Sequence, residues 1–491
     1  MINNQQTLNL SPHMDLYDIL IPQDHFLRKI NDLVDFSFVY DELKDKYCET
    51  NGRNAVHPIV MFKYLLLKFI YNLSDHGLVE RSRYDMSFKY FLGLQPEDPV
   101  IHASSLTKFR KQRLKDKNLL DLLIQKSVEI AIQQGVMIHP HGIIIDATHT
   151  LSRYHQCKKA EMFALQIEKL ENTIKDAAVS YKLPEKGNGF SYKTEETRAY
   201  CREVVNSIKS SNLAEYPAIR EDAELLQEMI EDLADTYHYS IDKDARIGHK
   251  TRTRSFYGYK THLAMTEDRI ITAATVTSGE KGDEKELEEL IEKTEATGLE
   301  IREVLADKAY ASVDNIEYTQ SKNIQLIAKI HPRMKTRKYR KVDGFIFNKD
   351  AKLMQCPQGH LALSARYQKR ETNHKSNVIR YFFDIKKCKE CPRRNGCYKE
   401  GQKNKTYNIT IKKEFYKKLE AFEKSAYFKE RYRNRYMIEA KNGEIKNQHG
   451  YAKCQMLGLD GLELQGAMTI FAVNLKRIIK LQGESLPKME E

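Results

Sequence analysis

The sequence predicts an α/β protein in which an all-helical segment precedes a sheet-bearing region, itself interrupted by further helices and by a cysteine-rich stretch. Three observations lead there. From about Phe26 to Lys117 apolar residues recur at helical spacing between turn signals; at "HGIIIDATHT" an apolar run from Ile143 to Ile145 ends in Asp146; and after Arg246 the period shifts toward strands. With 491 residues and 41 % hydrophobic content, the chain has apolar sequence enough for roughly two to four domains.

In the helical segment, residues 26–120 after a tail of residues 1–25, the run "HPIVMFKYLLLKFIYNLSDHG" stops at Ser74 to Gly77. "LVERSRYDMSFKYFLGL" reads as a second helix, and "SSLTKFRKQRL" as a third that starts from a Ser104 or Ser105 cap. Short helices with tight turns and a basic last helix resemble a helix-turn-helix-like DNA-binding region. The most apolar run, Ile59 to Leu73, is too short to span a bilayer and carries Lys63 and Lys68, so a buried helix is expected. "MINNQQTLNLSPHMDLYDIL" has no basic region followed by an apolar core, which points to a cytoplasmic protein.

A short buried strand ending in Asp146 begins the second region. The charged stretch after it has Leu165, Leu170 and Ile174, then Leu225, Met229 and Leu233, at helical spacing, and "LPEKGNGFS" divides it into two helical arms. "YGYKTHLAM" and "RIITAATVTS" flank "TED" as a hairpin, and Asp283 with Glu286 three residues on caps the helix of Leu287, Leu290 and Ile291. "REVLAD" is a strand ending in Asp307, "IQLIAKI" is another, and the C-terminus is helical.

Net charge is +12, and the excess clusters in Lys108 to Lys117, Arg246 to Lys260 and Arg333 to Lys341, each interleaved with Phe or Tyr. Such runs are solvated faces or the footprint of a polyanion, and three of them together favour nucleic acid.

Two aspartates, Asp146 and Asp307, stand at predicted strand ends, where a sheet can bring them together. An aspartate there is also a common turn residue or cap. In "RYRNRYMIEAKNGEIK", Tyr432, Arg435, Glu439 and Lys446 fall at offsets that keep them within an arc of roughly 60° on one helix face, at about 100° per residue. Glu439 four residues from Arg435 has the spacing of a surface pair. With Asp146 and Asp307 it makes a set of oxygen ligands for divalent cations. Asn442 and Gly443 disfavour a straight helix as far as Lys446.

"RYRNRYMIEAKNGEIK" matches the Y-x2-R-x3-E-x6-K signature of bacterial DDE-type insertion-sequence transposases. "IIIDATHT" and "REVLADKAYAS" resemble the segments that carry the family's first and second aspartates, "ARIGHKTRTRSFYGYKTHLAMTED" the basic segment and hairpin between them, and "LGLDGLELQGAMTIFAVNLKRI" the closing helix. The likeness runs from about residue 26 to 480. It implies a ribonuclease-H-like catalytic domain over residues 140–480, interrupted by a helical insertion at 151–240 and a cysteine-rich insert at 342–405, with a C-terminal tail at 481–491. It also implies an enzyme that binds the terminal inverted repeats of its own element, cuts there and joins the ends to target DNA. Catalytic Mg²⁺ or Mn²⁺ would be held by Asp146, Asp307 and Glu439. Arg435 and Lys446 would hold phosphates, and Tyr432 would contact the DNA backbone. Partners would be double-stranded DNA and a second copy of the chain, because two element ends must be paired, in a cytoplasmic, nucleoid-associated setting. Lys308 and Tyr310 are further candidate phosphate contacts, and His149 reads as a satisfied polar histidine.

Cys356, in "CPQGH", and Cys388, Cys391 and Cys397, in "CKECPRRNGC", provide a C-x2-C core and four thiolates suited to a structural, tetrahedral Zn²⁺. His360 could replace one ligand, and four unrelated thiols are the alternative. Similar cysteine inserts occur in one branch of the transposase family. Cys48, Cys157, Cys201 and Cys454 have no partners at ligand spacing. Two other functions stay open: a recombinase with a tyrosine nucleophile, which would leave DNA covalently attached to the protein, and a non-catalytic DNA-binding protein or decayed transposase.

Overall fold

The computed structural model describes residues 11–48, 55–138, 141–154, 159–177, 181–185, 194–231, 242–250, 254–330, 344–348, 353–368, 378–395, 397–398, 401–410 and 414–485. Its centre is a six-stranded mixed sheet of β1 (Gly142–Leu151), β2 (Arg246–His249), β3 (Ser255–Thr266), β4 (Ile271–Ser278), β5 (Glu303–Ala306) and β6 (Gln325–Ile327). β1 lies between β3, antiparallel to it, and β5, parallel to it; β6 extends the sheet parallel to β5, while β2 and β4 pair antiparallel with β3.

Strand alternation sorts "IIID" to two faces. Ile143 and Ile145 pack with Leu287, Leu290 and Ile291 of the helix Leu287–Ala296 on one face. Ile144 faces the other core, which also takes Leu263, Met265, and Met468 and Phe471 of the closing helix Gly458–Ser485. That second core continues without interruption into the N-terminal helices, through Leu66 and Phe69 of Pro58–Ile70 and Leu123 and Val128 of Leu119–Gln133. Buried Asn474 ties the three parts together: its amide donates to Ser127 Oγ and Ile271 O, both at 2.8 Å, and its Oδ1 accepts from Ile271 N at 2.9 Å.

The strand expected to end at Asp146 runs on to Leu151, because Ala147 to Leu151 stay in register with β3. Threonine suits a strand, and buried Thr150 satisfies its hydroxyl on Tyr451 O at 3.0 Å. The second predicted helix is two, Asp75–Tyr84 and Met86–Leu92, since Asp85 is extended and its carboxylate accepts from Ser87 N and Phe88 N as the cap of the later one. The cap before "SSLTKFRKQ" is His102, whose ring accepts from Ser104 N. Asp283 does not cap the helix that follows it. Its carboxylate is held 2.8 Å from Lys260 Nζ, and residues Asp283–Glu286 form a 3-10 turn.

Among the described residues the insertion after β1 holds three helices, Lys159–Asp176, Thr194–Lys209 and Pro217–Glu231, rather than two arms; a short turn at Asn212–Glu215 followed by Pro217 makes the extra break. They enclose a core of their own, with Phe163, Ile167, Leu170, Val204, Ile208 and Leu226. Leu165 and Leu225 face outward. Leu233 and residues 186–191 of "LPEKGNGFS" lie outside the described residues. The cysteine-rich stretch forms a hairpin, Ile346–Asn348 with Leu353–Gln355, and a three-stranded sheet of Ser364–Gln368, Val378–Phe383 and Lys405–Thr410. Among the described residues no helix is long and apolar enough to cross a membrane.

Candidate active site

Register brings the two aspartates together. Ile145 pairs with Ala306 across the parallel β1 and β5, so Asp146 and Asp307, each the next residue, come out on neighbouring strands. Asp307 also caps the short turn Lys308–Tyr310, accepting from Lys308 N at 2.7 Å. Glu439 arrives in the first turn of the helix Tyr436–Gln448, which packs against β1.

All three carboxylates meet one guanidinium. Arg435 Nη2 is 3.7 Å from Asp146 Oδ1 and 3.6 Å from Glu439 Oε1, and Nη1 is 3.8 Å from Asp307 Oδ1. The Arg435 side chain is largely buried, whereas that of Glu439 is exposed. Burial pushes the Asp146 carboxyl up to about 6; Arg435 opposes the rise, and Asp307 and Glu439 add to it. Among the described residues no group of three or more His, Cys, Asp or Glu side chains is arranged to hold a metal ion as it stands. In the acidic trio, a cation of the chain's own stands between the carboxylates.

The expectation of one helix through the signature stretch is corrected. The chain breaks at Asn434 and Arg435, between the helices Ala426–Arg433 and Tyr436–Gln448. Tertiary contacts hold the break: Arg431 pairs with Glu267 at 2.9 Å and Glu303 at 2.6 Å, and Asn434 Nδ2 donates to Glu267 Oε1 at 2.9 Å. Tyr432 therefore belongs to the earlier helix, stacked on Phe428 at 5.4 Å between centroids, with Lys329 4.8 Å over its ring. Arg435 Nη1 donates to its hydroxyl at 3.4 Å. The second helix in turn runs straight through Asn442 and Gly443 to Gln448.

Lys446 projects from that helix toward β1, its Nζ 3.3 Å from His149 Nδ1. Burial first, then Lys250, brings the ammonium down to about 8, against the pull of Asp146. His149 is pushed down to about 4 by burial and by Lys446 and Lys250, so its neutral ring accepts. Tyr310 is buried with its hydroxyl 3.2 Å from the ring of buried His262, which removes it from reach of a phosphate; Lys308 is exposed.

The sequence reading missed Asn442, whose Nδ2 donates to Asp146 Oδ2 at 3.0 Å, and the Arg431 ion pairs. Helical phase could have found the first, since Asn442 lies on the face of Glu439 and Lys446.

Cys356, Cys388 and Cys397 pack against one small cluster built on Phe345, Met354, Tyr381 and Phe383. Burial raises the Cys388 thiol, and the nearby Cys397, Cys356 and Cys391 raise it further. Two tight turns present them: Cys356 O accepts from Gly359 N at 2.8 Å, and Cys391 O from Arg394 N at 3.0 Å. His360 is exposed, and its carbonyl accepts from Cys356 N. Cys201 and Cys454 are buried elsewhere, Cys48 is exposed, and Cys157 lies outside the described residues. Of the basic runs, Lys111, Lys115 and Lys117 line a cleft of about 1700 Å³ between the helical segment and the sheet, with Lys281 and Lys453 across it; Asp116, Asp121, Glu286, Glu289, Asp460 and Glu463 line it too, and Lys117 is paired with Glu42 at 3.0 Å. Residues 333–341, and 251–253 of the second run, lie outside the described residues.

Comparison with curated proteins gives no match. Among solved structures, the chain is similar to a piggyBac transposase synaptic complex with hairpin DNA, at 9% sequence identity and a TM-score of 0.31, covering 94% of this chain and 73% of that one. Likeness at that score does not establish a shared fold. Family models are more direct: the transposase domain DUF772 matches residues 15–112, and two models described as transposase DDE domains match residues 232–362 and 355–479. The last two together span 232–479, half of the chain, and carry Asp307 and Glu439; the chain belongs to the DDE transposases of insertion sequences.

Proposed function

We propose that this transposase binds the terminal inverted repeats of its element, cuts there and transfers the freed strands to target DNA, with Asp146, Asp307 and Glu439 as the ligands of Mg²⁺ or Mn²⁺. The observation that carries the reading is the convergence of those three carboxylates on Arg435. Three negative groups around one positive group leave an excess of two, and hard carboxylate oxygens suit a divalent ion. When bound, such ions stabilise the attacking and leaving oxygens of an in-line displacement at phosphorus.

The chain's own residues do the rest. Arg435 leaves the centre of the trio for a phosphate oxygen, to which its planar fork is matched, and Tyr432 steadies that fork from the preceding helix. Lys446 takes a second phosphate, with His149 accepting one of its hydrogens. Basic residues along the cleft between helices and sheet supply affinity independent of sequence.

Around this site we read a ribonuclease-H-like domain over residues 140–480, and the sheet order supports it, with β4, β3 and β1 antiparallel and β5 and β6 parallel beyond them. The helices of residues 26–120 would bind the element ends, in a cytoplasmic protein that acts at least as a dimer. We also propose a structural Zn²⁺ on Cys356, Cys388, Cys391 and Cys397: three of these side chains pack against one small cluster, and the four thiols would have to draw together to form the site, because as they stand they do not make a metal-binding group.

The test is incubation of the full chain with the inverted repeats flanking its coding region, with Mg²⁺ or with EDTA, followed by mapping of the cuts. Cleavage at the element ends that needs the metal and leaves no protein attached to DNA is the expected result. Cutting in EDTA, or a covalent adduct, would remove the reading.

A further inference from the structure

Asn442 is nine-tenths buried, and its Oδ1 is shielded from solvent yet accepts no hydrogen bond among the described residues. Its neighbours on the helix, Ile438 and Ile445, are fully buried, so packing alone would favour an apolar side chain here. Asparagine is also a poor residue for a helix interior. An orphaned acceptor lowers stability, and native folds keep few of them.

The amide cannot relieve this by turning over. Nδ2 donates to Asp146 Oδ2 at 3.0 Å, and the reverse orientation would set an amide oxygen against a carboxylate oxygen. The other oxygen of Asp146, Oδ1, is thereby the one that faces Arg435. Asn442 follows Glu439 by three residues and precedes Lys446 by four, so all three project from one side of the helix.

We propose that Asn442 is a positioning residue of the acidic site. Its Nδ2 fixes the rotation of the Asp146 carboxylate, and its buried, unpaired Oδ1 is the acceptor left for a water brought in with the divalent ion. The inference rests on the reading of Asp146 as a metal ligand. Outer partners that orient a ligating carboxylate typically change metal affinity by about tenfold to a hundredfold when removed.

The experiment is Mn²⁺ binding to the full chain without DNA, followed by the electron paramagnetic resonance signal of the free ion, alongside thermal unfolding in EDTA. Asn442→Leu removes both hydrogen-bonding groups at similar volume and is expected to weaken Mn²⁺ by about tenfold or more, with a thermal midpoint no lower than the parent's. Asn442→Ser, too short to reach Asp146, is expected to weaken Mn²⁺ similarly and decides the matter should the leucine variant fail to fold. Parental Mn²⁺ affinity in these variants, or a loss that only tracks a lowered thermal midpoint, would make Asn442 a structural residue. Asp146→Ala separates the two levels of the argument: if it binds Mn²⁺ as the parent does, the metal-site reading itself fails, whereas loss there with no loss at Asn442 overturns this inference alone.

Discussion

Lys446 Nζ lies 3.3 Å from His149 Nδ1, an ammonium donating to a neutral imidazole across the gap between the signature helix and β1. With burial and Lys250 holding its proton loosely, Lys446 is a cation below about 8 and neutral above it in the DNA-free chain.

Affinity for element ends should therefore fall as pH rises from about 7 to 9.5, because the charge that meets a phosphate is being lost. Lys446→Arg keeps its charge throughout and should flatten the profile. The folded chain also holds this proton less tightly than the unfolded chain does, so this residue's contribution to stability rises with pH between about 8 and 10.5. Fluorescence anisotropy of labelled ends across that range tests the binding. A profile that is the same in parent and arginine variant removes Lys446 from the DNA contact.

Asp146→Ala, Asp307→Ala and Glu439→Ala should each abolish cutting and joining, while end binding, which comes from basic surface, stays near parental. Gel-shift and cleavage assays on one preparation separate the two. Any of the three that still cuts is not part of the site.

Arg435→Lys should slow cleavage by about tenfold to a hundredfold with little change in end affinity, since a point charge cannot reproduce the fork that now spans three carboxylates. Extra Mg²⁺ should not restore the rate. Single-turnover cutting at two Mg²⁺ concentrations checks both statements, and a parental rate would leave Arg435 as an internal counter-ion only.

Purified chain should carry about one Zn²⁺, and Cys388→Ser with Cys391→Ser should lose it together with thermal stability. Elemental analysis of protein prepared without chelators gives the answer. Zinc-free protein that melts at the same temperature as the double variant would return the four cysteines to ordinary thiols.

The nearness of Asp146 and Asp307 is legible in the sequence because a strand-end residue inherits its place from strand pairing, and pairing follows the apolar pattern of Ile143–Ile145 and Val304–Ala306. The break at Asn434 is not legible. Local propensity allows a helix there, and the chain turns because Arg431 and Asn434 are claimed by Glu267 and Glu303, more than a hundred residues earlier. Asn442 misled for the related reason that its partner, Asp146, is 296 residues away: read locally, a mid-helix asparagine signals weakness. The continuation of β1 past Asp146 is hidden by threonines, whose polarity obscures a strand that Tyr451 helps to satisfy.

The N-terminal helices do not hang from a linker; they share one apolar interior with the sheet, and Asn474 staples the junction. If those helices read the element end, the distance from the bases they read to the phosphate that is cut is set by packed side chains. The fold then works as a gauge with a fixed jaw: it measures off the cleavage point in base pairs. A sequence shifted by one step along the duplex meets the carboxylates in the wrong place, however tightly it is held.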